Sequence, residues 1–165
     1  METIDTNKKE QQIWALLNTV NDPEIPVLSV CDLGIVRSVH FDGETYHVTI
    51  TPTYSGCPAM DVIALNIRMA LVKEGIQNVK ILQQLSPAWT TDWMTEKGKA
   101  KLRSYGIAPP VAKSLDATYL DQIQVPCPLC QSMNTRLISE FGSTACKALY
   151  QCNDCKEPFD HFKCH

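Results

Sequence analysis

In the first part of the chain, the spacing of apolar residues changes from every third or fourth position to every second position. Residues 13–20 carry apolar side chains at helical spacing, which predicts one buried face of a first helix. Residues 35–39 and 46–50 alternate instead, which predicts two strands. Asp42-Gly43 lies between them and is typical of a tight hairpin turn. The chain therefore opens with a helix followed by a β-hairpin.

The same pattern continues with a helix, a strand and a last helix. Pro58 suits the first position of a helix, and apolar residues at helical spacing extend that helix to a cap at Gly75. Residues 79–85 alternate as a third strand, and residues 92–105 predict a closing helix. The order α-β-β-α-β-α reaches its third strand through a helix. It predicts an α/β (α+β) domain with a mixed sheet and helices packed on it.

Prolines and cysteines divide the rest of the chain. Residues 1–106 form the predicted domain, and Pro109-Pro110 stiffens the start of a linker over residues 107–126. Residues 127–165 contain six of the eight cysteines and predict a small module of their own.

Composition and charge disfavour a nucleic-acid-binding, a secreted and a membrane-spanning protein. The net charge of −3 and the sequence pI of about 5.8 disfavour a nucleic-acid-binding role. The polar N-terminus is unlike a secretory signal, and no run reaches the ~20 apolar residues that span a bilayer. We therefore expect a cytoplasmic protein without membrane contact. Thiols stay reduced in that compartment, so the eight cysteines favour metal binding over disulfides.

Two Cys-x-x-Cys pairs predict the metal site. Cys127 and Cys130 form the first pair and Cys152 and Cys155 the second, with 21 residues between the pairs. Residues 134–141 and 145–151 predict two short strands between the pairs. Two such turns joined by strands are typical of a zinc ribbon, although four thiolates also suit iron. Additional candidate ligands are Cys146, Cys164, His161 and His165.

Cys57 is a separate candidate because it lies beside a predicted helix start. Gly56 permits the turn and Pro58 begins the helix, so the unpaired N–H groups there would stabilise a thiolate. Such a thiolate suits metal binding, cluster transfer or nucleophilic attack, whereas a small buried cap is the structural alternative. The carboxylates of Asp22, Glu24 and Asp32 would then be oxygen ligands or a base, or else turn caps.

The sequence also resembles a known family. The stretch DPEIPVLSVCDLGIVRSV and the later TPTYSGCP resemble the SufT-type iron–sulfur cluster assembly domain. Together with PAWTTDWM, FGSTACKALY and the ending DHFKCH, nearly the whole chain resembles the PaaD family of phenylacetate-degradation proteins, encoded with phenylacetyl-CoA epoxidase.

The resemblance implies a non-catalytic accessory protein. It would mature or deliver the iron–sulfur or iron cofactors of phenylacetyl-CoA 1,2-epoxidase, with the epoxidase subunits or their iron–sulfur reductase as protein clients and a homodimer as a compatible state. Cys57 matches the cysteine that would hold a transient cluster or iron, and Asp22, Glu24, Asp32 and Thr53 match positions around it. The four paired cysteines match the ribbon, which implies zinc.

One departure and two alternatives accompany this resemblance. Gln131 and Lys156 stand where ribbons often have glycine after each cysteine pair. A scaffolding subunit of the epoxidase complex would instead use Trp89 and Trp93 as contact surface. An enzyme with Cys57 as nucleophile would need a histidine base.

Overall fold

The computed structural model of the chain describes residues 2–111 and 123–163, with side chains from Lys8 onward. Two compact units result, Met1–Trp89 and Thr90–His165. None of the helices in the described ranges is long and apolar enough to span a bilayer. In chain order the elements are α1 (Glu2–Leu17), β1 (Val36–Phe41), β2 (Tyr46–Ile50), α2 (Ala59–Lys73), β3 (Val79–Gln83), a 3-10 helix (Thr91–Trp93), α3 (Glu96–Tyr105), β4 (Ile107–Ala108), β5 (Thr135–Ser139), β6 (Lys147–Cys152) and β7 (Pro158–Phe162).

The sheet of the first unit has the order β1-β2-β3. β1 and β2 are antiparallel, and the Asp42 carboxylate accepts the N–H groups of Glu44 and Thr45 in the turn between them. β2 and β3 are parallel because α2 carries the chain back to the start of the sheet. The predicted mixed α/β fold is therefore confirmed.

The core of the first unit lies between the sheet and the helices. Ile13 and Leu17 of α1 and Ile67 of α2 are fully buried, as are Val48 and Ile50 of β2. Each helix thus buries the face that its apolar spacing predicts, which removes that face from water.

Trp89 belongs to this core and is not a contact surface. Its ring is almost fully buried, and its Nε1–H donates to the Leu33 carbonyl at 2.9 Å. The expectation that Trp89 contacts a partner is wrong, because its ring is buried. The local sequence does not indicate this, since the hydrogen bond joins residues that are 56 positions apart. Trp93 is half-buried.

The second unit contains α3 and a four-stranded sheet of order β4-β7-β6-β5. Thr95 caps α3 by accepting the N–H of Gly98 at 2.9 Å. β5 and β6 are the two strands that the sequence predicts, whereas β4 and β7 extend the sheet beyond them.

The division into units differs from the predicted boundary at residue 106. Ile107–Ala108 pairs with β7, and Val125 is fully buried in the core of the second unit. Both ends of the predicted linker therefore belong to the ribbon sheet or its core. The middle of that segment, residues 112–122, lies outside the described residues. Pairing between β4 and β7 joins positions more than fifty residues apart, which periodicity does not reveal.

Candidate metal centre and the Cys57 loop

The four paired cysteines converge on one point. Cys127 Sγ lies 3.8 Å from Cys155 Sγ, and Cys130 Sγ lies 3.6 Å from Cys152 Sγ. All four sulfurs lie within 4.8 Å of one another. Four thiolates around a tetrahedral zinc at about 2.3 Å would be about 3.8 Å apart. The four sulfurs therefore fit a four-coordinate metal ion, which they would hold with no position left open.

Backbone hydrogen bonds shape the two turns that present these sulfurs. Cys127 donates its N–H to Ser132 O at 2.9 Å, and Cys152 donates to Glu157 O at 3.0 Å. Each bond joins the first cysteine of a pair to the residue five positions later. The repeated geometry gives the two cysteine turns the same form, so the pairs can face each other across a common centre.

The residue after each pair adopts a left-handed backbone. Gln131 has φ 64° and Lys156 has φ 68°, although neither is glycine. Each side chain donates to the carbonyl three residues earlier, Gln131 Nε2 to Pro128 O at 3.2 Å and Lys156 Nζ to Asn153 O at 2.5 Å. Gln131 and Lys156 therefore keep the left-handed backbone that glycine would adopt at these positions. Their Cβ atoms make that conformation less stable by about 1–2 kcal/mol per residue.

A polar network ties the two turns together. Asn134 Nδ2 donates to Asp154 Oδ1 at 2.9 Å, and Asn153 Nδ2 donates to Asn134 Oδ1 at 2.9 Å. Ser132 also donates to Asp154, and Asn153 N donates to Asn134 O. The sequence did not predict this network, because polar residues next to a cysteine pair do not by themselves indicate which partners they bind. These residues hold the turns in register around the sulfurs.

The metal site lies at one end of a small apolar core. Cys127 and Cys152 are buried beside Tyr150 and Phe159, whereas Cys130 is exposed. The N–H of Cys155 donates to Cys152 and lowers the pKa of that thiol to about 7. This hydrogen bond favours the thiolate that a metal requires.

The extra candidate ligands lie outside this group among the described residues. Cys146 is buried, and its Sγ lies 3.1 Å from Thr144 Oγ1. His161 is fully buried in β7 with Nδ1 3.3 Å from Ala108 O, and burial lowers its pKa to about 4. Cys164 and His165 are outside the described residues.

Cys57 lies at the start of α2, as the sequence predicts. Gly56 has φ 80°, which turns the chain, and the Cys57 carbonyl accepts the N–H of Met60 at 3.3 Å. The Cys57 side chain is half-buried. A hydrogen bond from the Tyr54 side chain also reaches it. Tyr54 is a neighbour that sequence reasoning missed.

The surroundings of Cys57 act on the pKa of its thiol in both directions. Burial raises the pKa of the Cys57 thiol, and the charges of Glu24 and Asp22 raise it further. The N–H of Ala59 and the Tyr54 side chain act in the other direction but do not prevail. Of the two alternatives that the sequence leaves open, the raised pKa favours the protonated, half-buried thiol over the thiolate in the metal-free chain. A nearby cation would offset both unfavourable effects.

The carboxylates of the first loop divide into two groups. Asp22 is buried and its Oδ1 accepts the N–H groups of Glu24 and Ile25, both at 2.8 Å. Asp22 and Glu24 lie close enough to Cys57 for their charges to act on its thiol. Asp32 instead exchanges hydrogen bonds with Ser29, at 3.2 and 3.0 Å, and caps a turn. Thr53 is half-buried in the Cys57 loop.

Comparison with known proteins gives both sites a family. Residues 112–163 match the PaaD zinc beta ribbon domain, and residues 10–81 match the family described as iron-sulfur cluster assembly protein. The chain is 54% identical over 153 residues to a protein of Escherichia coli (strain K12) provisionally named as one of the subunits of 1,2-phenylacetyl-CoA epoxidase, covering 93% of this chain and 92% of that relative. The chain belongs to the PaaD family.

Other relatives of this PaaD family member match little more than half of its chain. An "Fe-S protein maturation auxiliary factor" of Porphyromonas gingivalis is 39% identical over 95 residues, which is 56% of this chain and 90% of the relative. A factor of the same description from Bacillus subtilis is 30% identical over 95 residues, covering 56% of this chain and 92% of the relative. The names point to accessory or maturation factors.

A solved structure supports the fold. A domain of unknown function from Bacillus anthracis superposes with a TM-score of 0.57 at 23% identity, covering 61% of this chain and 96% of that one. The family, the mixed α and β fold and the metal-binding cysteine group are therefore confirmed.

Proposed function

We propose that this chain is an accessory factor of phenylacetyl-CoA 1,2-epoxidase in phenylacetate catabolism, and that it carries iron or an iron–sulfur cluster to that system in the cytoplasm. The relative provisionally named as an epoxidase subunit supports the pathway, and the relatives named as maturation factors support the cofactor role. The chemistry is then delivery of a metal cargo, with no reaction on the phenylacetyl group.

The contrast between the two cysteine sites carries the proposal. The ribbon offers four thiols within 4.8 Å of one another, which is a complete ligand set. Cys57 offers one half-buried sulfur with the carboxylates of Asp22 and Glu24 nearby. A site with few protein ligands leaves positions that a client's ligands can take. The four-thiolate site would retain its metal, whereas Cys57 would release one.

The raised pKa of Cys57 gives the delivery step a proton dependence. Metal binding requires the thiolate, so each binding event at Cys57 must release the proton that burial retains. The negative charges that oppose ionisation of the empty site attract a cation. Loading at Cys57 should therefore strengthen as pH rises, and release should be favoured by protons.

The ribbon is the proposed docking module. A zinc ion held by its four cysteines would supply folding free energy on the order of 10 kcal/mol. Leu129 lies inside the first cysteine turn and Met133 just after it, and both are exposed apolar side chains. Exposed apolar side chains clustered on a metal-rigidified turn are suited to contact with a protein client.

Anaerobic reconstitution with ferrous iron and sulfide tests the carrier role. We expect iron-to-thiolate absorption in the chain, and we expect Cys57→Ala to remove it while the zinc content stays at one per chain. Cys31→Ala is the matched control, because burial and the neighbouring Asp32 raise the pKa of that half-buried thiol to about 12. Unchanged iron absorption in Cys57→Ala would contradict the proposal.

A scaffolding subunit is the second candidate, favoured by the name of the E. coli relative. Under that function Cys57 is inert. Co-purification with the epoxidase, together with full epoxidase activity, would then survive Cys57→Ala in cells grown on phenylacetate. Loss of activity with retained co-purification would favour delivery instead.

A further inference from the structure

α2 has apolar residues on two faces, of which only one packs in the core. Ile63, Ile67 and Leu71 are fully buried against the first unit. On the other face four apolar side chains remain exposed, each by roughly half of its surface: Val62 by 45%, Leu65 by 55%, Met69 by 60% and Val72 by 45%. We call these four residues the α2 stripe. A stripe of this kind removes area from water only when a second surface covers it.

The spacing of the α2 stripe is that of a helix-pairing seam. Its residues follow one another at intervals of three, four and three, which are the a and d positions of two heptads. The sequence of intervals reads the same in both directions about residue 67. An antiparallel copy of the same helix would therefore place Val62 opposite Val72 and Leu65 opposite Met69.

Charges beside the stripe favour the same arrangement. Asp61 and Arg68 flank it on one side, both exposed, and neither forms an ion pair within the described part of the chain. Antiparallel pairing brings this flank of the two copies together. The two Arg68 side chains then lie near the twofold axis, where their like charges repel each other. Each also has the Asp61 of the other copy about five residues, or ~7.5 Å, further along the axis, so two attractions offset one repulsion. A long arginine side chain can reach over that distance.

Parallel pairing lacks this compensation. In a parallel pair, Arg68 of each copy would lie near Lys73 of the other copy, on both sides of the seam. The repulsion between these like charges opposes parallel pairing. The antiparallel arrangement is therefore the one that the flanking charges support.

From this pattern we infer that the α2 stripe binds the α2 stripe of a second copy of this chain, with the two helices antiparallel. The contact is one isologous helix pair, so a weak dimer in the micromolar range is expected. This inference is independent of the proposed cargo.

The arrangement has a consequence for Cys57. Each Cys57 precedes α2, so the two lie beyond opposite ends of the helix pair. At 1.5 Å per residue they are about 30 Å apart along the axis. One cluster cannot bridge two sulfurs at that distance, so each chain of the dimer would hold its own cargo.

Sedimentation equilibrium of the full chain under reducing conditions tests the dimer. Over about 1–200 µM we expect a reversible monomer–dimer equilibrium, and Leu65→Glu should raise its Kd at least about tenfold by burying a charge in the seam. Leu82→Glu is the matched control, since Leu82 is similarly exposed on β3 and lies off the stripe. It should leave the Kd unchanged.

A charge exchange tests the orientation. After Asp61→Arg or Arg68→Asp, all charges along the shared flank have the same sign, so each single variant should raise the Kd about fivefold. The double variant again has both signs and should return the Kd to its original value. A parallel pair would instead be strengthened by Arg68→Asp, because the new carboxylate would lie near Lys73 of the other copy.

Four results would overturn the inference. They are a chain that stays monomeric throughout, a dimer that Leu82→Glu weakens and Leu65→Glu does not, a lower Kd in Arg68→Asp, and a double variant weaker than both single variants. Circular dichroism confirms that each variant is folded.

Discussion

At the scale of single residues, the neighbours of Cys57 determine its chemistry. The helix N-terminus favours a thiolate, but burial and two carboxylates outweigh it. A cysteine nucleophile needs the opposite balance together with a base. His47, the histidine nearest in sequence to Cys57, has its Nε2 2.7 Å from Asp42 Oδ2 in the hairpin. These surroundings therefore do not lower the pKa of Cys57 as a cysteine nucleophile requires.

Alkylation kinetics measure this balance directly. We expect Cys57 to react with iodoacetamide more slowly than a free thiol at pH 7, because the pKa of Cys57 is raised and less thiolate is present. The rate should rise about tenfold per pH unit above neutrality, up to the pKa of the group. Peptide mass spectrometry follows Cys57 separately from the other thiols. A rate above that of a free thiol would revive the catalytic alternative.

Gln131 and Lys156 show a second effect of single residues. Both hold left-handed backbone with a Cβ atom present. At ordinary positions alanine is more stabilising than glycine by about 0.5–1 kcal/mol. In left-handed backbone the steric cost of the Cβ atom reverses this order.

Substitutions at Gln131 isolate that cost. Gln131→Ala and Gln131→Gly both lose the side-chain hydrogen bond to Pro128, and they differ only in the Cβ atom. We expect the glycine variant of the zinc-loaded chain to be more stable than the alanine variant by about 1 kcal/mol. Chemical denaturation followed by tyrosine and tryptophan fluorescence measures the difference. Equal stabilities would show that the left-handed turn carries no strain.

At the scale of elements, the ribbon is larger than its two predicted strands. β7 pairs with β6 over five residues, from Pro158 to Phe162, and β4 adds a short parallel edge. Phe159 and Tyr150 stack with ring centroids 5.9 Å apart, next to the buried ligands Cys127 and Cys152. The metal and this small core therefore support each other, since the ligands are part of the packing.

α2 shows how one element takes two roles. Its first turn begins immediately after Cys57, and its buried face fixes that turn to the sheet. Its exposed stripe is left for another surface. A helix with apolar residues on both sides is typical of an element placed between a core and an interface.

At the scale of the whole molecule, the two units should differ in their dependence on metal. Removal of zinc by a strong chelator under reducing conditions is expected to unfold the cysteine turns and deprotect β6 and β7, because the ribbon depends on the metal for its folding free energy. The first unit has its own apolar core and should keep its helices. Hydrogen exchange read by mass spectrometry distinguishes the units, with α2 as the internal reference. Retained protection of Lys147–Cys152 after complete zinc loss would contradict this expectation.

Much of this architecture follows from local sequence. The cysteine spacing specifies the ligand set because two intervening residues allow both sulfurs of a turn to face one ion. Periods of 3.6 and 2 specify the helices, the hairpin and the parallel return of β3. The position of Cys57 at a helix start follows from Gly56 and Pro58 in the same way. These features depend on residues that are neighbours along the chain.

Other features were decided only by tertiary structure. The raised pKa of Cys57 depends first on its burial in the folded chain, and the charges of Glu24 and Asp22, which lie more than thirty residues earlier in the sequence, add to it. Burial of Trp89 and the pairing of β4 with β7 likewise join distant segments. Periodicity and motif spacing describe what a residue tends to do among its neighbours. Desolvation and charge act through space, so their balance exists only once the chain has folded.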